Sequence, residues 1–206
     1  MFDALLATLD ETERDRLLST MRSRRLRRGD VLFWEGEAGD AAFVVDDGHL
    51  IVERTTEDGD VVAVAIVGPG ELIGEQALLS DDPRGATARA VEATEVRAIA
   101  RGAFDDLRRS APAFDQLLIM LLDQRLRSLS ELLLDARHAA VEVRIRRTIQ
   151  QLYGHFGAEI PLSQEVVASL AGTTRPTANG VVRTMQDDGL VQLSRGRLKV
   201  LEPDLI

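Results

Sequence analysis

Residues 163–190 read SQEVVASLAGTTRPTANGVVRTMQDDGL, and this stretch decides the fold because it predicts two short helices joined by a turn. Ser163 is placed to cap the first helix, since its hydroxyl can accept a backbone N–H, and Gly172 ends that helix where a positive φ costs little. Thr174 is a second N-cap, and Pro176 lies in the first turn, where its missing N–H is tolerated. Helix, glycine turn and helix together are the pattern of a helix-turn-helix.

The segment after this motif predicts a wing. The second helix runs to Asp187 or Asp188, Gly189 stops it, and residues 190–201 (LVQLSRGRLKVL) predict a hairpin with a polar tip. The alternative is a plain helical hairpin with an arginine at a solvated end, and the wing argues against it.

The start of the second helix carries the side chains that would read DNA. The N-terminal end of a recognition helix is where side chains meet base edges. Arg175 can donate two hydrogen bonds to guanine O6 and N7, and Thr177 can reach a phosphate or a thymine methyl. The arginines further along are better placed for backbone phosphates. The candidate DNA-binding residues are Ser163, Thr174, Arg175, Thr177, Ala178, Asn179, Arg183, Arg195 and Arg197.

Upstream, residues 103–137 change to helical spacing. Leu122, Leu126, Leu129 and Leu133 step by four, three and four, as in the seam of a coiled coil. A long helix with such a seam usually meets its own copy, although the stripe can instead pack on its own domain. The candidate dimerisation residues are Leu118, Leu122, Leu126, Leu129 and Leu133.

Residues 24–100 predict β structure, because short apolar runs alternate with Gly- and Asp-rich turns. EDGD at 57–60 predicts a tight hairpin, and many short strands with regular turns favour a small barrel or roll. The predicted strands are VLFW (31–34), AAFVV (41–45), LIVER (50–54), VVAVAIV (61–67) and TEVRAIA (94–100).

A second motif, PGELIGEQALLSDDPRGATARA, covers residues 69–90. Gly74 and Glu75 open a short helical turn after a strand, where free N–H groups suit an anion. Arg84 follows nine residues later, and its planar fork suits a phosphodiester oxygen. Glu75 can accept a ribose hydroxyl. The alternative is a buried Glu75–Arg84 pair that only holds the loop.

Composition sets limits on the class of protein. The chain has 206 residues, enough for two domains, and no cysteine, which excludes disulfides, zinc–thiolate sites and cysteine-ligated iron–sulfur clusters. The three histidines are far apart, so no metal or haem is expected. Neither Ser163 nor Ser169 belongs to a nucleophile–base pattern, so no catalytic residue is expected. Residues 1–18 predict a short amphipathic helix rather than a signal peptide, and no run is long enough to span a membrane, so we expect a cytoplasmic protein.

The charge of the chain is unevenly distributed. Net charge is −9, but residues 1–138 carry −10 and residues 139–206 carry +1. An acidic domain repels phosphate, so nucleic acid is expected to meet only the C-terminal part.

With these motifs in this order, the sequence resembles the cyclic-AMP receptor protein/fumarate-nitrate regulator (Crp/Fnr) family over nearly its whole length. IGEQALL…PRGATARA is similar to the phosphate-binding cassette of that family, and SLAGTTRPTANGVVRTMQDDGL to its recognition unit. The resemblance implies that Gly74 and Glu75 contact the ribose and that Arg84 contacts the cyclic phosphate, with backbone help from Gly85 and Ala86.

The sequence departs from the family pattern at four places. Gln76 stands where leucine usually follows the glutamate, and Gly85 where many members have a phosphate-binding serine. Leu129 and Ser130 stand where cyclic-AMP receptors have a Thr-Ser pair for adenine, and Gly180 replaces a basic residue. A lost neutral hydrogen bond costs only about 0.5–1.5 kcal/mol, so Gly85 and Leu129 weaken nucleotide binding without preventing it. Gly180 removes one base contact, so an operator different from the family's commonest one is expected.

We therefore predict an α+β chain with an effector-sensing β-roll (1–110), a long dimerisation helix (111–137) and a winged helix-turn-helix (138–206). The expected function is a homodimeric regulator that binds a pseudo-palindromic duplex DNA site under control of cyclic AMP, with RNA polymerase as a partner. One alternative is a member that senses another ligand or none. Another is a nucleotide-binding module that acts through protein contacts. The candidate effector-binding residues are Gly74, Glu75, Gln76, Arg84, Gly85, Ala86, Leu129 and Ser130.

Overall fold

A computed structural model describes residue 6 and residues 11–206 of the chain. Half of the predicted N-terminal helix over residues 1–18 lies outside the described residues, and its second part coincides with α1 (Glu11–Thr20). The chain divides into two compact units, one of Met1–Gly59 with Ile66–Arg127, the other of Asp60–Ala65 with Ser128–Ile206. The bounds 1–110, 111–137 and 138–206 stay a prediction.

The strands between residues 22 and 100 form two four-stranded sheets, with strand orders β1-β8-β3-β6 and β2-β7-β4-β5. The pairs β1–β8, β3–β8, β3–β6, β2–β7 and β4–β7 are antiparallel. All five strands named from the sequence are confirmed, and three short ones add to them. The strands are β1 (Arg22–Leu26), β2 (Val31–Phe33), β3 (Ala41–Asp47), β4 (Leu50–Thr55), β5 (Val61–Val67), β6 (Leu72–Ile73), β7 (Thr87–Ala90) and β8 (Thr94–Ala100).

The two sheets share one core, which is why they form a roll. Phe43, Val45 and Val96 from the first sheet pack with Phe33 and Leu50 from the second in a single cluster of buried side chains. Because each sheet has an apolar face that must leave water, facing sheets are the stable solution. The predicted roll is confirmed.

Three helices complete this part of the chain. They are α2 (Gln76–Leu79), α3 (Arg101–Ser110) and α4 (Pro112–His138). The break before α4 follows from Pro112, since the residue before a proline avoids the helical region, and Ala111 is extended. The start of α4 packs with α3 and with Val44 and Leu72 of the sheet in a second core cluster.

One predicted dimerisation residue, Leu118, is not exposed on α4. It was assigned to the dimerisation seam, but it is buried in that second core cluster beside Leu117 and Leu121. Four-and-three spacing continues upstream through the part of α4 that faces its own domain, so spacing alone did not reveal where the seam begins. The later leucines differ: Leu122, Leu126, Leu129 and Leu133 are 38–64% exposed.

The second unit has the predicted winged helix-turn-helix topology. Its three-stranded sheet has the order β10-β11-β9. Residues 159 and 160 pair with β11 as β9, a strand too short to show alternation in the sequence. The elements are α5 (Val141–Phe156), β9 (Glu159–Ile160), α6 (Gln164–Leu170), α7 (Arg175–Asp187), β10 (Val191–Ser194) and β11 (Arg197–Val200), followed by a 3-10 turn (Pro203–Leu205).

Candidate effector-binding and nucleic-acid-binding sites

The cassette begins with a backbone turn that only glycine makes easily. Gly74 follows β6 with a φ of +82°, and a Cβ at this position would lie 2.6 Å from Nη1 of Arg84. Glu75 then occupies the N-cap position of α2. Gly74 therefore provides both the turn and the space that brings Glu75 and Arg84 into one site.

Glu75 is a fully buried carboxylate with one oxygen unused. Its Oε1 accepts a hydrogen bond from Nη1 of Arg125 on α4, whose Nη2 donates to the Leu72 carbonyl at 2.8 Å. Its Oε2 is buried and has no hydrogen-bond partner in the described part of the chain. Burial raises the pKa of Glu75, and the charge of Arg125 opposes that rise. A buried acceptor of this kind is costly unless a ligand donor reaches it.

Arg84 is a buried cation, and its ion-pair partner Asp40, 3.7 Å away, is 93% exposed. The Arg84 side chain is 2% exposed, Nη1 donates to the Gly74 carbonyl and Nη2 to the Ala41 carbonyl, both at 2.7 Å. Its Nε is buried and lacks a hydrogen-bond partner among the residues described. Burial lowers the pKa of Arg84, although a guanidinium stays protonated at any physiological pH. The site thus holds a desolvated cation beside an acceptor.

The alternative of a Glu75–Arg84 pair names the wrong partner for each side chain. Glu75 pairs with Arg125, and the hydrogen bonds of Arg84 go to main-chain carbonyls. Both charged groups therefore keep unused polar atoms, which is the condition that a ribose hydroxyl and a phosphate oxygen require.

The other candidate effector residues stay predictions. Gln76 and Gly85 are exposed and Ala86 is half-buried, in the same loop region as the cassette. Leu129 and Ser130 are exposed residues of α4 that belong to the second unit.

In the second unit, the predicted helix ends are confirmed, with one difference in capping. Ser163 Oγ accepts from the Val166 N–H at 3.3 Å, and Gly172 has a φ of +61°. Thr174 is the N-cap residue of α7, but its hydroxyl bonds the Thr177 hydroxyl at 2.9 Å and makes no cap hydrogen bond to the backbone. The position was predicted correctly and the cap contact was not.

One DNA-binding candidate, Ala178, does not lie on the exposed face of α7. It is fully buried with Val182 and Met185, which form the inner face of α7. A buried methyl group cannot touch a base, so Ala178 is part of the core. Its spacing from Val182 already placed it on the apolar face of the helix.

The exposed face of α7 and the wing keep the remaining candidates. Arg175, Thr177 and Arg183 are exposed on α7, while Asn179 is half-buried. The wing adds two exposed arginines, Arg195 in the turn and Arg197 on β11. Ser163 is half-buried and its hydroxyl serves the α6 cap, so only part of it is available to a phosphate.

Two arginines in these sites were not identified from the sequence. Arg125 on α4 is the ion-pair partner of Glu75. Arg144 on α5 donates to the Ala136 carbonyl at the end of α4 and to the Gly172 carbonyl in the turn before α7. Each contact joins residues at least eight positions apart, and no local spacing signals it.

The part of the chain that the structure describes has neither a membrane-spanning helix nor a cluster of metal-ligating side chains. No helix there has the length and apolar composition needed to cross a bilayer. Nor do three or more His, Cys, Asp or Glu side chains of those residues group as a metal site would require.

Comparison with known families covers both units. Residues 23–111 match the family model of the cyclic nucleotide-binding domain, and residues 127–205 match the Crp-like helix-turn-helix domain. The cyclic AMP receptor protein of Thermus thermophilus is 34% identical over 200 residues, 94% of this chain and 90% of that protein. The CRP-like cAMP-activated global transcriptional regulator of Mycobacterium tuberculosis is 30% identical over 176 residues, 81% of this chain and 78% of that protein.

Solved structures agree with the fold. The catabolite activator protein of Thermus thermophilus aligns with a TM-score of 0.57 at 32% identity, covering 98% of this chain and 95% of that one. A global regulator of Xanthomonas campestris aligns with a TM-score of 0.77 over 93% of this chain and 99% of its own, and at 22% identity it supports the fold alone.

The cassette and the winged helix-turn-helix together define a transcription regulator with a cyclic nucleotide-binding domain. More narrowly, the chain belongs to the Crp/Fnr family. The predicted family and fold class are confirmed.

Proposed function

We propose that this chain is a homodimeric regulator that binds a pseudo-palindromic duplex DNA site under allosteric control of cyclic AMP. The observation that carries the ligand half is the pair of buried, unused polar atoms, Glu75 Oε2 and Arg84 Nε. An acceptor and a cationic donor in one desolvated site are what a ribose hydroxyl and an anionic phosphodiester need. The relatives named for cyclic AMP support the choice of nucleotide.

Each cassette residue has a distinct proposed role. Arg84 binds the cyclic phosphate, Gly85 and Ala86 add backbone N–H groups, and Glu75 accepts the ribose hydroxyl next to Gly74. We assign the remaining candidates, Gln76, Leu129 and Ser130, to the edge of the site and to the base.

The link from ligand to helix passes through Glu75. Its carboxylate already bonds Arg125 of α4, so a ribose at Oε2 and a helix arginine at Oε1 share one charged group. A ligand shifts a conformational equilibrium only if it binds the two arrangements unequally. This shared carboxylate gives nucleotide binding a direct way to favour one placement of α4.

The exposed leucines support the dimer. Leu122, Leu126, Leu129 and Leu133 present an apolar stripe that a second copy would cover. A two-fold axis would place two α7 helices about 34 Å apart, one turn of DNA. In this arrangement Arg175 reads a guanine, Thr177 and Asn179 contact the neighbouring backbone or bases, and Ser163, Thr174, Arg183, Arg195 and Arg197 contact phosphates.

The location and the protein partner of the chain follow from this proposed role. We propose that the protein works in the cytoplasm, contacts RNA polymerase at promoters and has no catalytic activity of its own. The alternative of a module acting only through protein contacts is not favoured, because the helix-turn-helix relatives are transcription regulators.

Two measurements on the full chain test the proposal. Isothermal titration calorimetry with cyclic AMP and with cyclic GMP is expected to give heat with the former at micromolar concentrations. Selection from random duplex DNA, followed by fluorescence anisotropy, is expected to return a two-fold related site that binds more tightly with cyclic AMP. No heat with either nucleotide at millimolar concentration would remove the ligand, and no selected sequence would remove the DNA function.

A second candidate is a regulator that no longer responds to a nucleotide. The observation that favours it is that Arg125 already bonds Glu75 and the Leu72 carbonyl, which holds α4 without a ligand. In that case, DNA affinity is the same with and without cyclic AMP, and Arg84→Leu leaves it unchanged.

A further inference from the structure

We propose that Phe33 is a positioning residue for the phosphate of the effector, because the face of its ring holds the guanidinium of Arg84 in place. The inference rests on the proposed function and names a residue that determines its affinity. Phe33 ends β2 and was counted only as part of an apolar strand.

The contact has the geometry of a cation–π interaction. The guanidinium carbon of Arg84 lies 4.4 Å from the centroid of the Phe33 ring and 5.7 Å from that of Phe43. The two rings stack with centroids 6.0 Å apart and planes at 28°. All three side chains are buried. Cations within about 6 Å of a ring are attracted by its negative face, and the attraction grows when water is excluded.

The carboxylates near Arg84 favour its charge, but the Phe33 ring is the group that packs against the face of the guanidinium. Asp40 is 3.7 Å away but its side chain is 93% exposed, so water screens that charge. Glu75 directs its hydrogen-bonded oxygen to Arg125. Two carbonyls and the aromatic face therefore stabilise the buried cation together with the charges of Asp40, Glu37 and Glu75. Unlike a buried carboxylate, a ring stabilises the charge without competing with phosphate for it.

Packing leaves the guanidinium little freedom to turn. A Cβ on Gly74 would lie 2.6 Å from Nη1 of Arg84 and 3.3 Å from Cε1 of Phe33. The guanidinium and the ring are thus packed close to the glycine backbone. Because five N–H groups are fixed in one plane, a ring packed against the guanidinium restricts the direction of every donor that the carbonyls leave unused.

The test compares two Phe→Leu substitutions in the full chain. Phe33→Leu removes the ring at Arg84, whereas Phe104→Leu makes the same change in the other core cluster, against Phe114. Calorimetry with cyclic AMP is expected to show about tenfold weaker binding for Phe33→Leu and a change below about threefold for Phe104→Leu. Equal losses in the two variants, at equal loss of thermal stability, would mean that Phe33 only supports the fold and would overturn the inference.

A ring of the same shape but weaker negative face separates electrostatics from packing. Site-specific incorporation of a trifluorinated phenylalanine at position 33 is expected to weaken cyclic AMP binding severalfold without lowering Tm. Unchanged affinity in this variant contradicts a role for the ring charge.

The contact is also measurable without any nucleotide. In arginine-labelled protein, the Nε–Hε signal of Arg84, identified by its loss in Arg84→Lys, is expected to be displaced by the Phe33 ring current and to move in Phe33→Leu. If the wild-type protein binds neither cyclic AMP nor cyclic GMP, the ligand half of the proposed function fails and the positioning role fails with it, whatever this signal shows. If the protein binds nucleotide and the signal does not move, only the role of Phe33 is overturned.

Discussion

Arg84 in the cassette and Arg175 at the start of α7 are the arginines proposed to contact the effector phosphate and a DNA base, yet the two regions present them in opposite ways. Arg84 is buried, bonded to two carbonyls and stacked on a ring, whereas Arg175 is exposed at a helix end. A small ligand gains most from a site that is already desolvated and oriented. A protein that recognises a DNA sequence needs side chains that can reach base edges, and its contacts with phosphates fix its position on the duplex. Substitutions in the cassette should therefore affect both binding and stability, and those on α7 binding alone.

The largest expected effect is that of Arg84→Leu. It removes the phosphate cation and leaves the Gly74 and Ala41 carbonyls without their donor. Cyclic AMP affinity is expected to fall about 100-fold, since charged hydrogen bonds contribute about 1.5–3 kcal/mol each, and Tm should fall as well. Calorimetry and thermal unfolding measure the two losses. Arg84→Lys is the control, because it keeps the charge but not the fork. A change in affinity below threefold contradicts the assignment of Arg84.

Arg175→Ala should have the next largest effect, and only on DNA. Affinity for the selected site is expected to fall by about 1–3 kcal/mol, and discrimination should be lost at one base pair. Because the side chain is exposed, Tm and cyclic AMP affinity should not change. Anisotropy with a set of single-base variants measures the specificity. Arg183→Ala is the matched control, as a phosphate contact weakens all sites alike and reduces the salt dependence. If Arg175→Ala lowered the affinity for all single-base variants equally, Arg175 would be assigned to a phosphate contact instead.

Glu75→Gln sharpens the comparison through the pH dependence of cyclic AMP binding. Burial raises the pKa of Glu75, so the wild-type carboxyl takes up a proton above the usual carboxyl range. The ionised form is the better acceptor for a ribose hydroxyl, so wild-type affinity should decrease as pH falls through the raised pKa. The variant should bind about tenfold more weakly at neutral pH, with a flat profile.

The same raised pKa has a consequence for stability. The folded state binds the proton of Glu75 more tightly than the unfolded state, so wild-type stability should decrease as pH rises from the usual carboxyl pKa to the raised one. Glu75→Gln should lack this contribution. Denaturant unfolding across that pH range measures the difference, and identical slopes in the two proteins would contradict it.

The smallest expected effect is a gain, in Gly85→Ser. Gly85 is exposed, its φ is not positive, and a Cβ there meets nothing within 4 Å, so a serine fits without strain. A hydroxyl that reaches the phosphate should tighten cyclic AMP binding about 2- to 10-fold. Gly102→Ser on α3 is the matched control, because a Cβ there also meets open space. Tighter binding in both variants, or in neither, would count against phosphate contact at position 85.

Local sequence patterns predicted α7 and the turn before it better than they predicted the cassette. Ser163, Gly172 and Arg175 lie within one short stretch whose caps and turn are set by neighbouring residues. Gly74, Glu75 and Arg84 were also close enough in sequence to be grouped. Arg125 and Phe33 were not, because each is about 50 residues from its partner in the cassette. Ala178 and Leu118 were assigned to binding surfaces although both are buried, since a period of three or four marks an apolar face without saying what covers it.

By itself the sequence determined the order of the elements and the helix-turn-helix with its wing, and it singled out the two arginines that we propose to contact a ligand and a DNA site. These depend on caps, turns and periodicity, which act between residues a few positions apart. Tertiary structure decided which polar atoms remain unused: it gave Glu75 to Arg125 and laid Arg84 on Phe33. Burial and pairing depend on which distant segments fold against each other, and no local pattern carries that information.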